Sequence, residues 1–115
     1  MNASIIEHTI RIAVVTPPQR FDVLSSPDVR GQLEMLLADG VKHLVVDLAP
    51  VTFCDSAAMA VLVRALKQAR RQNGSVKLVW PQAPHARRIF TLTKFDHVFS
   101  MADAADEAVQ AFQGS

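Results

Sequence analysis

The chain has 115 residues, a length that fits one domain and is too short for two independent cores. Half of its residues are hydrophobic and 20% are charged, a composition that excludes a disordered chain. The formal net charge is +1, from twelve basic and eleven acidic residues. Because such a balance creates no long-range field for nucleic acid or anionic lipid, we expect no direct nucleic-acid binding.

Cysteine usage and hydropathy indicate the compartment. The one cysteine, Cys54, cannot form an intramolecular disulfide or a CxxC site, and an unpaired thiol suits a reducing compartment. No stretch approaches the roughly 18 apolar residues of a membrane span. Residues 1–8 lack the basic region and apolar stretch of a secretory signal. We therefore expect a cytoplasmic protein without membrane insertion.

The first half of the chain alternates strand and helix signals. Residues 10–15 predict a strand that ends at two prolines, and a shorter strand over residues 4–9 is expected to pair with it antiparallel. A serine cap, a proline and an acidic residue at 25–28 predict a helix start, and the helix ends at residues 39–40. The apolar run over 43–48 lacks alternation, which favours a central strand covered on both faces.

The second half continues the alternation. It predicts a helix over 56–72 closing at 73–74, a strand over 76–80, a short helix over 84–92, a short strand over 98–99 and a last helix over 102–112. Ser100 or Asp103 is expected to cap the last helix. The pattern predicts one α/β domain over residues 1–115, with a mixed, mostly parallel sheet of four or five strands and about four helices.

The most informative segment is the helix that begins at Asp55-Ser56. Both residues are favoured helix caps, so the pair alone indicates only a helix start. At about 100° per residue, the core-facing stripe of this helix is Ala58, Val61, Leu62, Ala65, Leu66 and Ala69. The other side is predicted to hold Ser56, Ala60, Val63 and Lys67, with Met59 beside them. Apolar side chains next to a hydroxyl at a helix N-terminus favour a docking surface that phosphorylation controls.

In these motifs the sequence resembles the STAS domains, and among them the stand-alone bacterial anti-sigma factor antagonists. The family pattern is an apolar strand, a stretch ending in Phe or Met, then Asp-Ser-(Ser/Thr/Ala)-Gly-Leu-Gly and an apolar helix. Residues 45–48, 51–54 and 55–62 match it. Residues 20–22, with Asp22 at the family's aspartate, and the segment from 73 to the end also fit, so the resemblance covers nearly the whole chain.

The resemblance implies a phosphorylation switch. In that family the serine after the aspartate is phosphorylated, which here is Ser56, and the unphosphorylated protein binds an anti-sigma factor that is itself a serine kinase. We expect no catalytic residue, no metal and no cofactor, and the sequence leaves the oligomeric state open. The residues expected to bind the partner are Asp22, Asp55 and Ser56 in the family motif, together with Met59, Ala60 and Val63 on the side of the helix away from the core stripe.

Departures from the pattern leave a second interpretation open. Both family glycines are alanines here, Ala58 and Ala60, the leucine is Met59, and Pro18-Gln19 stands where a glycine precedes the aspartate motif. Alanine does not adopt positive φ cheaply. The alternative is a STAS module that is not phosphorylated and serves as a scaffold in a transport or multiprotein signalling assembly.

An enzyme is the interpretation that the sequence supports least. Ser56, Asp55 and the four histidines (His8, His43, His85 and His97) contain the residue types of a hydrolytic triad, but no G-x-S-x-G elbow is present. The histidines also lack metal-ligand spacing. We therefore expect a protein that acts by binding a partner.

Overall fold

The computed structural model describes residues 10–114, so the strand expected over residues 4–9 and its antiparallel pairing lie outside the described residues. No helix within residues 10–114 combines the length and apolar character needed to cross a membrane. In chain order the elements are β1 (Ile12–Val15), β2 (Arg20–Phe21), α1 (Ser26–Ala38), β3 (His43–Asp47), β4 (Phe53–Cys54), α2 (Ser56–Arg71), β5 (Ser75–Val79), α3 (Pro84–Leu92), α4 (Phe95–Val98), β6 (Ser100–Ala102) and α5 (Ala105–Gln113).

The main sheet has four parallel strands in the order β1-β3-β5-β6. Its central strand β3 is the predicted one, and Leu44, Val45 and Val46 in it are fully buried. Consecutive buried residues point to opposite faces of a strand, so both faces of β3 are covered. The predicted α/β class and the central position of this strand are confirmed.

Helices cover the two faces of the sheet. On one face, α1, α2 and α3 contribute Leu33, Leu62 and Phe90 to the larger apolar core. On the other face, α5 packs Ala108 and Phe112 against the sheet. Because α2 packs on both α1 and β5, its orientation is fixed from two sides and its N-terminus is held at the carboxyl edge of the sheet.

A second, two-stranded sheet was not predicted. In it β2 and β4 pair in parallel, with Arg20 opposite Phe53 and Phe21 opposite Cys54. Strands of two residues carry no periodicity, so the sequence pattern could not reveal them. The pairing matters for function because β2 leads into α1 and β4 leads into α2, which brings the starts of the two helices together.

The predicted ends of α1 and α2 are confirmed. Helix α1 ends at Asp39-Gly40, where Gly40 has φ +95°. Helix α2 is followed by Asn73 with φ 63° and then by Gly74. A Cβ on Gly74 would collide with the Lys42 backbone carbonyl, so this position requires glycine for space.

The strand predicted over Val98-Phe99 is wrong. Residues Phe95–Val98 form the short helix α4, and the Phe99 N–H donates to the Phe95 carbonyl at 2.9 Å, a helical bond. The Phe95 and Phe99 rings stack with centroids 5.8 Å apart, a contact that residues four apart make in a helix. Val98 and Phe99 therefore belong to the end of a helix, and strand β6 starts at Ser100, directly after Phe99.

The start of the last helix was also predicted too early. Ala102 belongs to β6, and its carbonyl accepts the Trp80 N–H at 3.0 Å. Helix α5 begins at Ala105 after Ala104, and no side chain caps it, so neither Ser100 nor Asp103 has the predicted capping role. Pairing with β5 extends the strand into residues whose composition favours a helix.

Candidate functional site

The turn from β4 into α2 forms the centre of the site. Asp55 is the N-cap residue of α2, with extended backbone (φ −121°, ψ −175°), and its Oδ1 accepts the Ala58 N–H at 3.0 Å. Ser56 follows as the first helical residue, is exposed, and its hydroxyl makes no hydrogen bond to any residue in the range 10–114. The predicted exposure of Ser56 at the start of this helix is confirmed.

The second oxygen of Asp55 reaches a different part of the chain. Its Oδ2 accepts the Val23 N–H at 2.8 Å, which ties α2 to the loop between β2 and α1. The N–H of Ala58, and to a lesser degree that of Val23, hold the pKa of the Asp55 carboxyl below its usual value, against an opposing contribution from desolvation. The carboxylate next to Ser56 is therefore ionised at neutral pH.

Asp22 holds the same loop from its other side. Its Oδ1 accepts the N–H groups of Leu24 and Ser25 at 3.0 and 3.3 Å, and its main-chain carbonyl accepts the Ser26 N–H at 2.8 Å. Arg20 Nε lies 3.4 Å from Oδ2 of Asp22. Two carboxylates thus fix one short turn, so both aspartates identified from the sequence contribute to the same local structure.

The serine cap predicted for α1 is not observed. The Ser25 side chain makes no capping bond; its hydroxyl instead donates to the Arg20 carbonyl at 2.8 Å and accepts the Asp22 N–H at 3.0 Å. The Asp22 carboxylate supplies the acceptor for the backbone N–H groups that precede the helix. A sequence pattern cannot distinguish a serine that caps from one that closes the preceding turn.

This turn exposes two apolar side chains that no local sequence pattern predicts. Val23 is 64% exposed and Leu24 is 86% exposed. An exposed apolar pair on a rigid turn beside Ser56 extends the predicted apolar surface beyond α2. The sequence signals the turn itself, with Asp22 followed three residues later by Ser25, an Asx-type turn, but only the fold places that turn next to α2.

The exposed side of α2 is largely as predicted. All six residues of the predicted core stripe are buried. Ala60 is exposed and Val63 is half-buried, packed at the margin of the core. Met59 is the exception, because it is only 7% exposed and belongs to the core. The assignment of Met59 to the solvent side is wrong, since its side chain reaches back towards the core over the preceding turn.

An open groove of about 1590 Å³ runs past Ser56 along α2. Side chains of α1 and α2 line it together with Ile89, Thr93 and Phe95 from the segment of α3 and α4. The groove contains five of the six residues predicted to bind a partner, all except Asp22. Asp22 does not line the groove itself, but it fixes the turn that places Val23 in the lining.

Cys54 precedes this site and does not take part in its chemistry. The residue is buried, and burial, with a smaller contribution from the Asp55 charge, raises the pKa of its thiol to about 11. The thiol is therefore protonated at neutral pH and is a poor nucleophile. Cys54 is therefore a small buried residue of the main core.

The fold and this strand–turn–helix site define the class of protein. The family model of the STAS domain matches residues 3–108, and the chain belongs to that family. The match covers both aspartates, Ser56 and all of α2.

Comparison with individual proteins agrees with this assignment. The chain is 31% identical over 89 residues, covering 77% of this chain and 76% of the relative, to BtrV of Bordetella bronchiseptica, described as a candidate anti-sigma factor antagonist. An anti-sigma factor antagonist from Mycobacterium paratuberculosis superposes with a TM-score of 0.78 at 25% identity, covering 95% of this chain and 92% of that one. The unphosphorylated form of the anti-sigma factor antagonist SpoIIAA superposes with a TM-score of 0.79 at 16% identity, covering 96% of this chain and 95% of that one. The phosphorylated form of the Bacillus protein SpoIIAA superposes with a TM-score of 0.69.

Proposed function

We propose that this chain is an anti-sigma factor antagonist that binds its partner when Ser56 is unphosphorylated and is released when Ser56 is phosphorylated. The partner is an anti-sigma factor that is itself a serine kinase. The observation that carries the proposal is a hydroxyl at the first position of α2 that is exposed and makes no hydrogen bond within residues 10–114. It lies beside a groove whose part nearest to it is lined by small apolar side chains. Support comes from the name of the Bordetella relative and from the two phosphorylation forms of SpoIIAA, which shares the fold.

The charges at the start of α2 explain how a phosphate would act. A phosphoserine adds about −1.5 to −2 charges at neutral pH. At Ser56 it would lie beside the ionised Asp55, whose Oδ1 already accepts the Ala58 N–H of the first turn. An apolar contact around Ala60 and Val63 would then have to desolvate two adjacent anionic groups. Like-charge repulsion and desolvation both favour release of the partner.

The loop contact gives the switch a second effect. Asp55 binds the Val23 N–H, so a phosphate that displaces the Asp55 carboxylate also loosens the turn that exposes Val23 and Leu24. In this proposal Asp22 and Asp55 position the docking surface, whose part next to Ser56 is apolar. Substituting either aspartate should weaken binding by disordering the turn, even where the partner does not contact the carboxylate.

Phosphorylation is tested with each anti-sigma-type serine kinase that the same genome encodes. The purified chain is incubated with ATP and each kinase in turn, its intact mass is measured, and the modified residue is mapped. We expect one added phosphate on Ser56, none on Ser56→Ala, and unchanged modification of Ser100→Ala, a matched control at another exposed hydroxyl. No added phosphate with any of these kinases, each of them active on other substrates, would refute the switch.

Binding variants test the second half of the proposal. Because Asp55 and not Ser56 caps α2, Ser56→Ala should change stability by less than about 0.5 kcal/mol and should bind the anti-sigma factor constitutively. Ser56→Asp should weaken binding in part, since a carboxylate carries less charge than a phosphate. Equal affinity of the two variants would contradict the proposed switch.

A specific observation keeps the scaffold alternative as a second proposal. Ala58 and Ala60 replace the family glycines, and the Ala60 methyl lies on the exposed side of α2, four residues from Ser56. If that methyl obstructs the kinase, the module binds without being switched. In that case Ser56 stays unmodified while the partner, a component of a transport or signalling assembly, still binds to α2.

A further inference from the structure

The exposed side of α2 changes character along its length. Its N-terminal half presents a hydroxyl and small apolar side chains, whereas its C-terminal half presents long polar ones, all basic except the partly exposed Gln68. Residues four apart lie on the same side of a helix, so the two halves form one continuous strip. Within the groove, the basic half consists of Arg64, Lys67 and Arg71.

The cations of this basic half are incompletely neutralised. Glu34 of α1 serves two of the groove's arginines, with Arg64 Nε at 3.1 Å and Arg30 Nε at 3.4 Å from its Oε1. Lys67 and Arg71 have no carboxylate within ion-pair distance in residues 10–114. The negative end of the α2 dipole is equivalent to only about half a charge, so it does not balance them.

We propose that this basic half receives an acidic segment of the partner protein, while apolar residues of the same partner occupy the half around Ala60 and Val63. The inference rests on the proposed function and specifies the chemistry of the partner. At 1.5 Å per residue, Val63 and Arg71 are separated by about 12 Å along the helix. The partner surface should therefore carry carboxylates about that far from its apolar contact.

The two halves should control different rate constants. Exposed charges steer encounter, so the basic half mainly sets the association rate and its dependence on salt. Ser56 lies eleven residues before Lys67, about 16 Å along α2. Because this exceeds the screening length of about 8 Å at physiological salt, a phosphate on Ser56 leaves the basic half attractive and acts on dissociation. The phosphorylated chain should keep a weak, salt-sensitive encounter with its partner.

The experiment measures binding kinetics with an anti-sigma factor kinase from the same genome that binds the wild-type chain. Wild type, Lys67→Glu, Arg71→Glu and Ser56→Asp are compared at about 50 mM and about 500 mM salt. We expect each charge reversal to lower the association rate about three- to tenfold at low salt and less than about twofold at high salt. Arg88→Glu, an exposed residue outside the groove with the same charge change, should stay within about twofold of wild type at both.

Two results of these measurements would overturn the inference while leaving the proposed function intact. One is wild-type association of both charge-reversal variants at low salt. The other is an equal loss in the Arg88→Glu control. Circular dichroism melting curves of all variants serve as the check on folding, because exposed substitutions should leave the melting temperature nearly unchanged.

A second probe separates this inference from the proposed function. If wild type binds no anti-sigma factor kinase of that genome at either salt, the proposed function fails, and a synthetic helical peptide of Glu and Leu is titrated by NMR instead. Shifts on α2 that Lys67→Glu and Arg71→Glu abolish support an acidic protein ligand, and their absence refutes it. Binding to phosphatidylserine vesicles that the same substitutions abolish would overturn the assignment in favour of a membrane surface.

Discussion

Truncation of Met59 distinguishes the observed packing of α2 from the packing that its helical periodicity predicts. Met59 is 7% exposed and belongs to the main core, although it lies beside the groove. Met59→Ala removes three buried heavy atoms, and at about 0.8 kcal/mol per buried group this amounts to about 2.4 kcal/mol. Because the site borders the groove and can relax, the additional cavity cost should be small, for a total of about 2–3 kcal/mol.

The measurement is urea unfolding followed by circular dichroism, with a thermal melt as a second probe. For a domain of this size the loss should lower the melting temperature by about 8–12 °C. Ala60→Ser is the matched control, because Ala60 is the exposed neighbour and its substitution should cost less than about 0.5 kcal/mol. A loss below about 0.5 kcal/mol for Met59→Ala would show that Met59 is not part of the core.

Three further predictions concern the surface, a turn and the sheet. Val63→Asp should weaken binding to the anti-sigma factor while lowering stability by no more than about 1.5 kcal/mol, since Val63 is half-buried at the core margin; unfolding of the variant at room temperature would contradict this. Gly74→Ala should lower the free energy of unfolding by about 1–3 kcal/mol, because the added Cβ meets a backbone carbonyl. Gly31→Ala should raise the free energy of unfolding by up to about 1 kcal/mol, because Gly31 lies in mid-helix with open space around it. Equal effects of the two substitutions on the melting temperature would exclude the clash. The pKa of His43 is lowered by burial and then by nearby lysine charges, and its Nδ1 accepts the Ser75 N–H at 3.1 Å. As the pH falls, His43 is therefore protonated in the unfolded chain, at about pH 6.5, before it is protonated in the folded one. The free energy of unfolding should decrease as the pH is lowered from about 7.5 to about 5.5, and it should decrease less in His43→Asn. Equal pH slopes in the two proteins would refute the role of His43.

Elements long enough to contain a full period of their apolar pattern could be predicted from the sequence, and shorter elements could not. Helix α2 and strand β3 have enough residues for their apolar patterns to be diagnostic, and both were placed within a residue or two. The strands β2 and β4 have two residues each and exist because the main sheet brings them together. The elements within residues 95–102 were predicted wrongly, because the position of strand β6 depends on its pairing with β5, which is a non-local contact.

The candidate site shows the same division between local and non-local information. Asp55 as a cap and Ser56 as an exposed first residue follow from local chemistry, so sequence sufficed. The bond from Asp55 to Val23 joins residues 32 positions apart, and no local pattern reports it. Through this bond Asp55 holds the same turn that Asp22 holds, the turn over residues 22–25. The bond also places the exposed side chains of Val23 and Leu24 beside Ser56.

The alanines at the family's glycine positions can be separated by their surroundings. Positive φ among non-glycine residues in the range 10–114 occurs at Asn73 and Lys94 and at neither alanine, so α2 starts as a regular helix without strain. Ala58 is fully buried and faces the core, where no partner can touch its methyl. Ala60 is exposed beside Ser56, and its methyl is the one added atom that an approaching kinase would meet. If phosphorylation is blocked in this chain, Ala60→Gly alone should restore it, whereas Ala58→Gly should only destabilise the helix, by about 1 kcal/mol. We therefore propose that steric access at the Ala60 methyl decides between a switched antagonist and an unswitched scaffold.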